Sequence, residues 1–296
     1  MVIKVGFLGP MGSYSEKVAR DMARHPESSQ WVEIGTIPEV IENVATGLVG
    51  EGIVPLRTAY GDVPETLDAL HRAVVGMGSQ GGSIFITGYS DRTIKFWLGG
   101  LPGATLADIA EVVTKQEAVQ ACASEISRLV PGYAPVYQAS TALGARMVAT
   151  SGHRTRATLC SLEALHENGL VPLLSSPIIR VTSFIRVGPR RYAGAQYDES
   201  AVMVRVLQDR PGILKSIGEA VDPLNLVDFS VLKNRLDVGD KMAQVVFLLR
   251  IKAGVREAEL VVEFLRAMFR VKEELFGVPE DLRSLVTNLG SYPVLL

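Results

Sequence analysis

Residues 1–56 read MVIKVGFLGP MGSYSEKVAR DMARHPESSQ WVEIGTIPEV IENVATGLVG EGIVPL, and this stretch decides the fold class. Val2 to Leu8 is a short apolar run suited to a buried strand. Ser15 to Arg24 follows, with Val18, Ala19 and Met22 at helical spacing and Ser13 or Ser15 placed to cap it. Trp31 to Ile34 is strand-like again. Pro38 then opens a second helix in its first turn, with Val40, Ile41, Val44 and Leu48 on one face. Gly52 to Leu56 is a third apolar run. The order is βαβαβ, and connections this short imply a parallel sheet with right-handed crossovers.

Working outward, Pro64 to Ala73 reads as a helix, and the glycine-rich stretch after it marks a break. Ile84 to Thr87 and Thr93 to Leu98 read as antiparallel strands or as crossovers into a second lobe. The alternation then resumes. Ile109 to Thr114, Pro135 to Gln138, Ala157 to Cys160 and Val181 to Val187 read as strands. Glu117 to Leu129, Thr141 to Ala149 and Ser161 to Asn168 read as helices, the last stopped by Gly169. Two α/β lobes with a cleft between them fit this pattern, and such clefts bind small ligands. Gly188 to Ser200 is polar and turn-rich and reads as a linker. Beyond it come a strand (Ser200 to Leu207), a helix (Pro211 to Val221), two strands (Leu226 to Leu232, Met242 to Ile251) and a helix (Arg256 to Arg270). That βαββα is close to a ferredoxin-like module.

The chain has 296 residues, enough for about two domains. Its 30 Lys+Arg nearly balance 32 Asp+Glu, for a net charge of −2, which argues against a nucleic-acid partner. Cys122 and Cys160 are too few for a disulfide scaffold or a cysteine-based zinc module, and read as buried thiols. His25, His71, His153 and His166 show no metal-ligand spacing, so no metal and no cofactor are expected. The N-terminus reads as a strand rather than a signal peptide. The longest charge-free stretch, Ala73 to Ser90, is rich in glycine and unsuited to a membrane. A soluble cytoplasmic protein is expected.

Several segments, in order, resemble the prephenate dehydratase family. GFLGPMGSYSE carries Gly9, Pro10, Gly12, Ser13, Tyr14, Ser15 and Glu16, similar to the family's GPxGTFSE. Gly52 to Leu70 (GIVPLRTAYGDVPETLDAL) resembles GVVPIENSxxGxVxxTLDxL, and Val112 to Cys122 (VVTKQEAVQAC) resembles VxSHPQALAQC. Ser140 to Ala149 and Ala157 to Leu170 resemble the segments before the signature NxTRF, which here is Arg180-Val181-Thr182-Ser183-Phe184. Asp209 to Val221 (DRPGILKSIGEAV) resembles the first turn and helix of an ACT domain, a small amino-acid-sensing module. The resemblance covers about residues 3 to 278.

It implies a two-lobed, periplasmic-binding-protein-like α/β catalytic domain over residues 1–188, a ferredoxin-like α+β ACT domain over 200–278 for regulation and dimerisation, and a tail over 279–296. The implied reaction is loss of CO2 and water from prephenate to give phenylpyruvate, in phenylalanine biosynthesis. Thr182 takes the place of the threonine that assists departure of the hydroxyl. Gly12 and Ser13 lie at a strand-to-helix turn whose backbone N–H groups favour a carboxylate. Ser140 and Thr141 lie at a second such turn, with helix capping as their plainer role. Phe184 keeps the family's hydrophobic framework.

The polar positions depart from the pattern. ENS is here Arg57-Thr58-Ala59, followed by Tyr60; the histidine and glutamine of SHPQ fall on Lys115 and Glu117; the asparagine and arginine of NxTRF fall on Arg180 and Ser183. If Arg57, Lys115 and Arg180 face the cleft, it stays cationic and suits a dianion; otherwise they are surface charges. Thr58-Ala59-Tyr60 resembles relatives that decarboxylate prephenate without aromatising it. Two alternatives therefore stand beside the dehydratase: such a decarboxylase, and a catalytically silent small-molecule sensor. In the C-terminal module, Gly212-Ile213-Leu214 resembles the family's Gly-Ala-Leu effector segment, whereas Ser230 to Lys233 does not match its Glu-Ser-Arg-Pro. An amino-acid effector at this module and a homodimer or homotetramer are expected by resemblance, with the apolar strand Val245 to Leu249 as interface.

Overall fold

The computed structural model describes residues 2–76, 84–194, 197–206, 213–222, 225–235, 243–275 and 285–295. β1 (Ile3–Leu8) pairs in parallel with β2 (Ser29–Ile34) on one side and β3 (Glu51–Thr58) on the other. Helices α1 (Tyr14–Met22) and α2 (Ile37–Ala45) make the crossovers, as the opening stretch predicts. Ser13 caps α1 by accepting from the Glu16 N–H. Thr36 and Glu39 form a reciprocal capping box on α2, worth about 1 kcal/mol. A short β4 (Gly61–Asp62) folds back on β3, and α3 (Pro64–Gly76) follows.

The two strands expected at 84–87 and 93–98 are one, β5 (Phe85–Gly100). The polar Ser90-Asp91-Arg92 in its middle looks like a break in sequence. It is strand: Ser90 donates to the Leu295 carbonyl on one face, and Asp91 accepts from Tyr89 and Ser183 on the other. The second lobe holds β6 (Glu111–Thr114), β7 (Ala134–Tyr137), β8 (Arg156–Cys160) and β9 (Val171–Pro172). The helix expected at 117–129 is broken at Cys122 into α4 (Gln116–Ala121) and α5 (Ala123–Leu129). α6 (Thr141–Ser151) and α7 (Leu162–Glu167) complete the lobe. β10 (Ile178–Gly188) then returns antiparallel to both β3 and β5. The strand order is β2-β1-β3-β10-β5-β8-β6-β7, so β5 and β10 are the shared spine of both lobes.

The C-terminal module holds β11 (Glu199–Val206), α8 (Ile213–Val221), β12 (Leu226–Arg235), β13 (Ala243–Ile251), α9 (Val255–Leu275) and β14 (Leu285–Tyr292). Its sheet runs β12-β13-β11-β14. β14 corrects the expected tail at 279–296. Asn288 and Gly290, with Gly290 at φ +113°, break the strand pattern in sequence, and the register to β11 shifts between Ala201 and Val202 to accommodate them. The chain then returns to the first lobe, where the Leu295 N–H donates to the Tyr89 carbonyl at 2.7 Å.

The strand Val245 to Leu249, expected at an oligomer interface, is instead interior. β13 is paired on both edges, and its residues alternate between two cores. Val245, Phe247 and Leu249 pack under α8 and α9 with Ile217, Val261 and Leu265. Val246 and Leu248 face the first lobe and share one core with Leu67, Leu70, Tyr89 and Tyr292. Each such buried aliphatic contributes about 1.5–3 kcal/mol. The C-terminal module is thus fused to the first lobe through packed apolar surface. No helix among the described residues is long and apolar enough to cross a membrane. Cys122 and Cys160 are buried, and burial pushes both thiols up to about 12, away from reactivity.

Candidate active site

Successive strand residues face opposite ways, and directly paired residues share a face. On β10, Arg180, Thr182 and Phe184 therefore share one face with Ile94, Arg92 and Ser90, their partners on β5. At one end of this face Phe184 packs with Val18, Ala19 and Met22 of α1. At the other, Ile178 and Phe96 pack with Ala118, Cys122 and Ile126 of α4 and α5. Thr182 and Arg92 sit between, where the two lobes meet. Thr182 is 8% exposed. Tyr14, from the start of α1, reaches over this face: its ring lies 6.4 Å from that of Phe184, and its hydroxyl donates to the Thr93 carbonyl at 3.3 Å. Burial raises the Tyr14 pKa, opposed by the neighbouring Arg92 cation.

The family model for prephenate dehydratase matches residues 5–187, the whole of the region that builds this face. The chain belongs to the prephenate dehydratase family. No curated protein matches the sequence significantly. Among solved structures, a prephenate dehydratase from Staphylococcus aureus subsp. aureus Mu50 is similar, with a TM-score of 0.69 at 19% identity, covering 98% of this chain and 100% of that chain. A prephenate dehydratase from Arthrobacter aurescens, in complex with L-Phe, has a TM-score of 0.68 at 21% identity, covering 98% and 89%. GqqA, described as a novel type of quorum quenching acylase, has a TM-score of 0.66 at 21% identity, covering 98% of both. These likenesses show a common fold.

Within the prephenate dehydratase fold, the structure distributes the sequence-picked residues unevenly. Ser183 faces away from Thr182 and donates to Asp91 at 2.6 Å, as does the Tyr89 hydroxyl. Arg57 lies on that far side too. It bridges Asp62 at 2.8 Å and Asp228 of β12, and donates to the Phe229 carbonyl at 3.0 Å. It is a seam residue between the first lobe and the C-terminal module. Thr58, the next residue along, turns the other way and accepts from the Tyr60 N–H at 3.3 Å.

Arg180 is on the Thr182 face, but its fork is occupied. It donates to the Ala121 carbonyl, the Ile179 carbonyl and both oxygens of Glu125, at 2.6–2.8 Å. Lys115 precedes α4 and pairs with Glu117 at 3.3 Å. The Gly12 N–H is taken by Glu16 and the Met11 N–H by Glu33 at 2.8 Å. Burial disfavours the Glu16 carboxylate, yet the Gly12 N–H and Arg20 outweigh this and hold its pKa below normal. The first turn is therefore filled by the protein's own carboxylates. Ser140 takes its plainer role and caps α6, accepting from the Leu143 N–H at 3.1 Å, with Thr141 in the first turn. Gly212 and the side chain of Ile213 lie outside the described residues; Leu214 is exposed.

The residue the sequence reading passes over is Arg92. Nothing local distinguishes Ser90-Asp91-Arg92 from a turn; only the register with Thr182, set by a strand far along the chain, reveals it.

The Arg180–Glu125 pair carries a pH signature. Hydrogen bonds from Arg180 hold the Glu125 carboxyl at about 2, below its ordinary 4.5. A folded value below the unfolded one means stability present above about 4.5 and lost as pH falls towards 2. Glu125→Gln is expected to melt below wild type at pH 7, and the two melting temperatures to converge on acidification. A constant gap from pH 7 to 2.5 would exclude this coupling.

Proposed function

We propose that this protein is a prephenate dehydratase that removes CO2 and water from prephenate to give phenylpyruvate. The observation that carries the reading is Thr182, which resembles the threonine of the family's NxTRF signature and lies on the face where the two lobes meet. In the proposed mechanism the C–C bond to the ring carboxylate breaks, its electron pair enters the ring, and the C–O bond to the allylic hydroxyl breaks. Water leaves with a proton delivered at that oxygen. The Thr182 hydroxyl sits at the leaving oxygen and assists its departure. Aromatisation supplies driving force, so one positioned hydroxyl suffices. Thr58, Thr141 and Phe184 are proposed as the surrounding substrate contacts, and Gly12, Ser13, Lys115 and Ser140, already engaged by Glu16, Glu117 and the Leu143 N–H, are left out. Arg57, Arg180 and Ser183 are left out too, since each is committed to a protein partner.

The C-terminal module is proposed to be an ACT domain, on the strength of its β12-β13-β11-β14 order and the DRPGIL segment. An amino-acid effector there, a homo-oligomer and a cytoplasmic location belong to the same proposal; the Arthrobacter aurescens enzyme was solved with L-Phe.

A second reading, non-aromatising decarboxylation, is favoured by Ala59-Tyr60 standing in the family's ENS segment. There the electron pair left by CO2 is quenched by a proton on the ring system and the hydroxyl stays. Incubation with prephenate at neutral pH, followed by ultraviolet absorbance and mass spectrometry, separates the two. The expected product is phenylpyruvate above the uncatalysed background. A product lighter by CO2 alone would establish the decarboxylase. Unchanged prephenate that still stabilises the protein thermally would point to a sensor.

A further inference from the structure

We infer that Arg92 is the cation that receives a carboxylate of the substrate. The inference rests on the proposed reading of the site and adds a residue to it. Arg92 is directly opposite Thr182 in the β5–β10 ladder, so the two side chains leave the sheet on one face, with backbones about 5 Å apart. A carboxylate held by Arg92 would therefore lie beside the hydroxyl assigned to the leaving oxygen.

The state of the Arg92 guanidinium is unlike that of the other arginines around it. Its side chain is only 18% exposed, and its Nε is buried with no hydrogen-bond partner. Among the described residues its ion pair is a loose one: a terminal nitrogen lies 3.7 Å from Asp21, whose own side chain is half-exposed. Arg57 and Arg180 each hold carboxylates and carbonyls at hydrogen-bond distance. Arg186, deeper in the same sheet, donates to the Met22 and Thr87 carbonyls and to the Thr87 hydroxyl. Leaving buried guanidinium donors unmade is costly unless something else supplies the acceptors.

A carboxylate suits these donors better than a neutral group. The planar fork presents Nε–H and a terminal N–H in parallel, matching both oxygens of one carboxylate. The flanking groups are Tyr14, whose hydroxyl is anchored on the next β5 residue, and the Phe184 ring beneath it. Together they frame a cation, a hydroxyl and an aromatic wall, which suits a carboxylate carried on an unsaturated ring. Asp21 is the competing partner, and it must give way or stay at its present distance when the ligand binds.

The test is prephenate binding and turnover by wild type, Arg92→Ala and Arg92→Lys. Binding is read as the thermal shift against prephenate concentration, and turnover as KM and kcat separately. Loss of a charge-assisted hydrogen bond predicts a KM and an apparent Kd raised roughly 10- to 100-fold in Arg92→Ala. Arg92→Lys should recover part of that, because it restores the charge without the fork. Both variants should melt near wild type without ligand, since the wild-type side chain makes little use of protein acceptors. Binding within threefold of wild type in both variants overturns the inference. So does a loss confined to melting temperature and kcat with KM unmoved. If wild type itself neither binds nor converts prephenate, the proposed function fails, which is a separate outcome.

Discussion

Replacing Arg250 by methionine is expected to lower the unfolding free energy by about 3–5 kcal/mol, the usual cost of stranding one partner of a buried ion pair. Arg250 is 6% exposed on β13. It holds Glu199 of β11 through both carboxylate oxygens at 2.9 and 3.1 Å, and lies 3.3 Å over the Tyr89 ring of β5. Burial alone would lower its pKa, but Glu199 more than offsets this and raises it. Asp228 is 3.7 Å away and already bound to Arg57. With methionine at 250, Glu199 would stay buried with the Tyr292 hydroxyl, 3.5 Å off, as its remaining side-chain donor among the described residues. Methionine keeps most of the volume, so the loss reports the charge rather than a cavity. Urea unfolding at pH 7 measures it. Adding Glu199→Gln to Arg250→Met should recover about half the loss, because the stranded charge is gone. A single-variant loss below about 1 kcal/mol would mean that water reaches Glu199 and that the pair is not part of the core.

That ion pair belongs to a continuous polar seam, and the seam explains why much of the site was illegible in sequence. Arg57 meets Asp228 and Phe229 across most of the chain, and Arg180 meets Glu125 on another element. Read alone, each is a cation at a position where the family's pattern has none. Read with its partner, each is structural. Arg92 is the converse: unremarkable among its neighbours, but placed opposite Thr182 by strand register. Register between distant strands follows from the whole hydrophobic pattern and cannot be seen in a local window. What was legible is what local rules govern. The βαβαβ opening follows from periodicity, from the Ser13 cap and from Pro38 at the second helix's first turn. β14 was hidden because Asn288 and Gly290 obscure its alternation, and its partner β11 lies before two helices and two strands. Thr182 was legible only through the ordered motifs around it, because a threonine on a strand has an ordinary structural reading.

Thr182→Val is expected to reduce phenylpyruvate formation by roughly 10²- to 10³-fold, within the range for removing a group that assists proton transfer to a leaving atom. The substitution exchanges a hydroxyl for a methyl on a β-branched side chain, so strand preference is kept. Thr182 is 8% exposed, and the thermal stability of the variant should stay close to wild type. KM should move little, since the carboxylate contact is assigned to Arg92 and not to the hydroxyl. Thr182→Ser should restore activity to within about tenfold, at the cost of a less fixed rotamer. The product is more informative than the rate. Decarboxylation and hydroxyl departure draw on the same electron pair, and Thr182 acts on only the second. If Thr182 governs that fork, the valine variant should release CO2 in excess over phenylpyruvate, with the difference appearing as a non-aromatic product that keeps its hydroxyl. Equal losses of CO2 and phenylpyruvate would mean that the two bond cleavages are concerted on this protein. Wild-type kcat in the valine variant would remove Thr182 from the chemistry, and the hydroxyl nearest the leaving oxygen would then have to come from Tyr14, which reaches the same face from α1.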